Sequence, residues 1–100
     1  MSEIGAIVDK VRSKNAGPFW VTLDIFCGDA ARYELVRAGL DLTRVARAFD
    51  VPGQVIKRFD MADLNVIKIS MPRPKIQGTV ADLDMHGAAW AVLLAGVEID

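Results

Sequence analysis

Over residues 19–27 the chain reads FWVTLDIFC. Side chains of an extended strand alternate between two faces, so Phe19, Val21, Leu23 and Ile25 fall on one side and Trp20, Thr22, Asp24 and Phe26 on the other. The first set is wholly apolar and is expected to face the core. The second set mixes bulk with polarity, which marks that face as a partner surface or a site.

Upstream, residues 12–20 read RSKNAGPFW. Ala-Gly-Pro cannot continue a helix, so Asn15 to Pro18 breaks the chain. Residues 2–12 admit either a helical face through Ile4, Ile7, Val8 and Val11 or a short strand over Ile7 to Arg12. A brief turn followed by a strand is the reading taken here. The run Ser13-Lys14-Asn15-Ala16-Gly17 then falls in a loop before the clearest strand. A glycine-containing loop can aim backbone N–H groups at an anion. Lys14 adds charge, while Ser13 and Asn15 add hydrogen-bond donors. The competing reading is a solvated turn in which Asn15 bonds its own backbone.

Downstream, GDAARYELVRAGL predicts a helix capped by Asp29 and ended by Gly39, with Tyr33, Val36 and Leu40 buried. DLTRVARAFDVPG predicts a second helix. Asp41 caps it, Leu42, Val45, Ala46 and Phe49 point inward, and Pro52-Gly53 stops it. Residues 54–60 and 64–71 read as two strands joined by Met61-Ala62-Asp63. Pro72 and Pro74 then end sheet pairing. A C-terminal helix with Trp90, Leu93 and Leu94 on one side follows, its start weakened by Gly87. Helices gathered on one side of about four mostly antiparallel strands make an α+β two-layer sandwich of the ferredoxin-like type.

One hundred residues suit one domain spanning residues 1–100. Hydrophobic residues at 52% and charged residues at 25% are those of a globular chain, and they exclude intrinsic disorder. The net charge of -1 supplies no global field toward nucleic acid or membrane, so neither partner is expected and any anion site must be local. The longest apolar run, Ala88 to Val97, is half of the roughly 20 residues a membrane span needs. One cysteine, Cys27, leaves no internal disulfide. Met1 is followed by Ser, Glu and Ile rather than a basic and apolar leader. A reduced cytoplasmic setting is therefore expected.

Further positions carry candidate chemistry. Arg73, between Pro72 and Pro74, offers a planar fork for carboxylate or phosphate on a stiffened segment. Asp24 and Lys68 lie inside apolar strands and read as a cross-strand ion pair, with Lys68 the sharper candidate for a catalytic amine. Asp82, Asp84 and His86 alternate in ADLDMHG. They are weak metal-ligand candidates, with His86 also the lone general base near neutral pH. Cys27 reads as a small buried hydrophobe, and Trp20 and Phe26 as interface aromatics. No cofactor is expected.

RSKNAGPFWVTLDIF, DMADLNVIKISMPRP and DLDMHGA together resemble a small family of unknown function, DUF4387, from about residue 4 to residue 89. The family pattern has Asp-x-Asp-x-Tyr-Gly followed by Ala-Gln. Here His86 replaces the tyrosine, and Ala88-Ala89-Trp90 follows Gly87. More distantly, the chain is similar to the small ferredoxin-fold domain that accompanies AtuA-like proteins. That resemblance implies a small non-autonomous subunit beside a larger AtuA-like protein acting on organic or acyl-CoA acids, a role that a two-subunit hydro-lyase would fit. Ser13, Lys14, Asn15, Gly17, Lys68 and Arg73 would then bind the carboxylate or phosphate of a small molecule. The alternative is a self-associating binding domain, a homo-oligomer without catalysis.

Overall fold

Val21, Leu23 and Ile25 are completely buried, and the strand that carries them, β3 (Trp20–Phe26), lies in the interior of a four-stranded sheet. The computed structural model describes residues 2–17, 19–72 and 88–99. Within it β3 pairs on one side with β2 (Lys10–Asn15) and on the other with β5 (Val66–Pro72). β4 (Lys57–Met61) closes the far edge. The order is β2-β3-β5-β4, with every pairing antiparallel. The chain thus folds as two hairpins separated by two helices. Ile67, Ile69 and Met71 of β5 stand beside Ile25, Leu23 and Val21, so the two central strands bury one continuous apolar face.

The helices cover that face. α2 (Ala30–Gly39) begins at Asp29, whose carboxylate accepts from the Arg32 backbone N–H at 2.8 Å and from Arg32 Nε at 3.0 Å. Those bonds, the backbone one foremost, hold the Asp29 carboxyl below its ordinary pKa. Gly28 before it sits at φ 98°, a left-handed turn that glycine adopts without strain. A side chain there would also collide with the Arg32 guanidinium. α3 (Leu42–Phe49) is capped by Asp41, which accepts from Thr43 N–H at 2.8 Å. It ends at Asp50, a residue at φ 55°, two positions before Pro52. At the other end of α2, Arg58 on β4 donates to the carbonyls of Arg37 (2.7 Å) and Leu40 (3.2 Å). It thereby satisfies helix-terminal acceptors and ties α2 to the sheet edge.

The remaining elements close the core. α4 (Ala88–Ala95) inserts Trp90 and Leu94, and the Trp90 ring lies 6.1 Å from that of Phe49. The short α1 (Ile4–Ile7) crosses α4 at Gly5, where a Cβ would stand 2.9 Å from Ala95 Cβ. β1 (Ser2–Glu3) and β6 (Glu98–Ile99) form a separate two-stranded ribbon. The architecture is the expected α+β, ferredoxin-like two-layer sandwich. Among the described residues no helix is long and apolar enough to cross a membrane.

Three local expectations shift. Phe19 precedes β3 and is 75% exposed, so the core face begins at Val21. β2 continues to Asn15 instead of ending at Arg12. The segments before β4 and β5 wind into short 3-10 turns, Gly53–Val55 and Ala62–Leu64, so the strands start at Lys57 and Val66. Replacing Phe49 with alanine removes the ring that meets Trp90 and is expected to cost about 3–5 kcal/mol. Asp41→Ala removes one helix cap, at about 1 kcal/mol. Urea unfolding of the two variants checks that order of severity.

Candidate functional site

The sheet has a second face, turned away from the helices. Its composition follows from the register alone. On β2 the residues opposite Phe26, Asp24 and Thr22 are Lys10, Arg12 and Lys14. On β5 the residues opposite the same three are Val66, Lys68 and Ser70. On β4 the neighbours of Ser70, Lys68 and Val66 are Lys57, Phe59 and Met61. Three rows therefore cross the four strands: Lys14–Thr22–Ser70–Lys57, Arg12–Asp24–Lys68–Phe59 and Lys10–Phe26–Val66–Met61. A partial fourth row pairs Trp20 with Pro72.

This face concentrates positive charge. Among the described residues, Lys10, Arg12, Lys14, Lys57 and Lys68 stand against the single carboxylate of Asp24, in a chain whose net charge is -1. The cations also lean over aromatic rings. Lys10 Nζ lies 5.0 Å from the Phe26 centroid and Lys57 Nζ 5.8 Å from that of Trp20. Phe59 is half exposed and Trp20 more than a third exposed, so apolar area and charge share one surface. Large exposed rings beside cations are the composition of a contact surface, not of a solvated one.

Asp24 and Lys68 are cross-strand neighbours as expected, with Lys68 Nζ 3.8 Å from Asp24 Oδ1. That oxygen is buried and accepts no hydrogen bond among the described residues. The pair balances charge at mid-sheet without saturating the carboxylate. Thr22 Oγ1, one row away, is likewise shielded and finds no partner among the described residues.

The stretch from Ser13 to Gly17 is divided. Ser13, Lys14 and Asn15 belong to β2 and not to a loop, and strand alternation sends Lys14 to the open face. Ser13 and Asn15 stand beside Leu23 and Val21 on the helix-covered face. These three residues do not converge on one ligand. Gly17 alone of the set lies in the hairpin turn, at φ 79°. Lys14 and Lys68 do share the open face, and Trp20 and Phe26 share it with them. Arg73, Asp82, Asp84 and His86 lie outside the described residues. Among the described residues no group of three or more His, Cys, Asp or Glu side chains is placed to hold a metal.

Residue-by-residue reading placed Thr22 on this face with Trp20, Asp24 and Phe26 but missed Lys10, Arg12, Lys57, Phe59 and Ser70 as members of the same surface. The signal lay in KVRSKN, residues 10–15, where a cation recurs at every second position. Read as one strand, that spacing puts three cations on one face.

Cys27, completely buried behind β3, has its thiol pushed above its ordinary pKa by desolvation. Such a thiol is a poor nucleophile.

The chain belongs to the family described as domain of unknown function DUF4387, which it matches over residues 4–98. No curated protein and no solved structure matches it.

Two outcomes follow from this geometry. A double-mutant cycle with Asp24→Asn and Lys68→Met is expected to return a coupling of about 0.5–1 kcal/mol, because the pair is partly exposed. Cys27 is expected to react with a disulfide reagent far more slowly in the native chain than in urea, followed by thiolate release.

Proposed function

We propose that this chain is a small binding subunit of a two-component enzyme acting on organic or acyl-CoA acids. Its open sheet face seats the carboxylate or phosphate of a ligand beside a larger protein. The observation that carries the reading is the concentration of Lys10, Arg12, Lys14, Lys57 and Lys68 on one face of a chain with a net charge of -1. The rest of the chain carries an excess of acid, so the charge of this face favours an anion at close range.

The described residues supply binding chemistry more readily than catalysis. Lys68 is engaged with Asp24, and the buried Cys27 thiol is held in its protonated form. A binding role for the open face is consistent with both. The resemblance of the sequence motifs to the small ferredoxin-fold domain of AtuA-like proteins is the ground for choosing a larger AtuA-like protein as the partner, with reaction groups supplied from that side. Self-association ranks second. Two copies meeting through the open face would bring cationic rows together, and such like-charge contact costs affinity. A larger partner with an acidic contact surface fits the same face without that cost.

Affinity purification of the tagged chain with its host's AtuA-like protein tests this reading. A stoichiometric complex is expected. Its turnover of organic acids or their CoA thioesters is expected to fall at least about tenfold when Lys14→Glu and Lys57→Glu are combined. A chain that purifies alone would overturn the subunit reading, as would a complex indifferent to both charge reversals.

A further inference from the structure

The row Lys14–Thr22–Ser70–Lys57 differs from the other rows of the open face. It holds two hydroxyls at its centre, a lysine at each end and no carboxylate. Adjacent strands lie about 4.8 Å apart, so the two hydroxyl positions are neighbours and both lysines are long enough to fold over them. Thr22 Oγ1 is shielded from solvent and has no hydrogen-bond partner among the described residues. Buried hydroxyls are ordinarily satisfied, so this one calls for a partner, which reaches it when the side chains shielding it move aside. The adjoining row is apolar, Trp20 beside Pro72, and Lys57 Nζ lies 5.8 Å from the Trp20 ring, at the border of the two rows.

From this the geometry points to a binding site for a phosphate ester that carries a planar ring. The phosphate lies on the Thr22 and Ser70 hydroxyls between Lys14 and Lys57, and the ring packs on Trp20. The inference rests on the anion-binding reading of this face and names the ligand class. A phosphate ester dianion spreads three terminal oxygens in three dimensions and can meet hydroxyls below and ammonium groups on both sides at once, whereas a carboxylate presents its two oxygens in one plane. Lysines meet phosphate as point charges and need no planar fork. The carboxylate-sized alternative, the Arg12–Asp24–Lys68 row, already holds its own carboxylate. Trp20 offers a flat apolar surface on which a ring stacks regardless of its detailed substitution.

The test is a titration of the full chain with inorganic phosphate and with adenosine 5′-diphosphate, followed by amide and indole NMR shifts. Saturable shifts are expected at Lys14, Thr22, Lys57 and Ser70 with both probes. The Trp20 indole is expected to move with the nucleotide alone, which should bind about tenfold more tightly than phosphate. Thr22→Val keeps the strand and its charge. It is expected to weaken both probes about tenfold while raising rather than lowering the melting temperature, because it removes an unsatisfied buried hydroxyl, and to leave the complex with the larger protein unchanged. Trp20→Ala is expected to abolish the nucleotide's advantage and leave phosphate binding as it was. Absence of saturable shifts up to about 10 mM would overturn the inference, as would shifts confined to other residues or binding unaffected by Thr22→Val. Affinity for a single-stranded oligonucleotide that rises with its length would overturn it in favour of a nucleic-acid surface. None of these results alters the separate test of subunit assembly, so loss of the ligand class and loss of the subunit reading are told apart.

Discussion

The antiparallel pairing of β3 with β5 is the constraint on which the structure depends. Because side chains alternate along a strand, one register places Val21, Leu23 and Ile25 beside Met71, Ile69 and Ile67 and turns every intervening residue outward. A slip of β5 by one residue would turn Lys68 into the core and expose Ile67, Ile69 and Met71. The energetic penalty for that exchange, three apolar side chains lost to water and a charge taken from it, is what holds the register. The helices follow from it, since α2, α3 and α4 have the apolar side of these two strands to cover.

The same pairing creates the open face as a by-product. Alternation within β2 gathers Lys10, Arg12 and Lys14, but nothing local to β4 or β5 brings Lys57 and Lys68 to them. They meet because three hydrogen-bonded ladders align their strands. The Asp24–Lys68 pair sits at the centre of this surface and lowers the repulsion among the cations around it. Exposed rings are interleaved with the charges on this face. That combination distinguishes it from the helical side, where Arg32, Arg37 and Arg58 are engaged with Asp29, Glu34 and Asp60.

The helical layer shows a different economy of charge. Arg58 works inside the fold, holding the carbonyls that end α2, while Asp29 and Asp41 hold the N–H groups that start α2 and α3. These contacts are short in sequence or anchored to a sheet edge, and they position the helices without reaching the open face. The sheet therefore separates a structural side from an available one.

What the sequence by itself determined is whatever a few neighbouring residues can decide. The alternation in VTLDIF, the caps at Asp29 and Asp41, the burial of Trp90 and Leu94 and the turn at Gly17 were all legible, because each reflects local geometry or a short hydrophobic period. The Asp24–Lys68 contact was legible as well, since two charges inside apolar strands need each other or water. Tertiary structure alone decided that Ser13 and Asn15 face the helices while Lys14 faces outward, and that Lys57 joins Lys14 across Thr22 and Ser70. The physical reason is that register is a long-range property. It is set by which strands pair and which face the helices cover, and no window of sequence contains both partners.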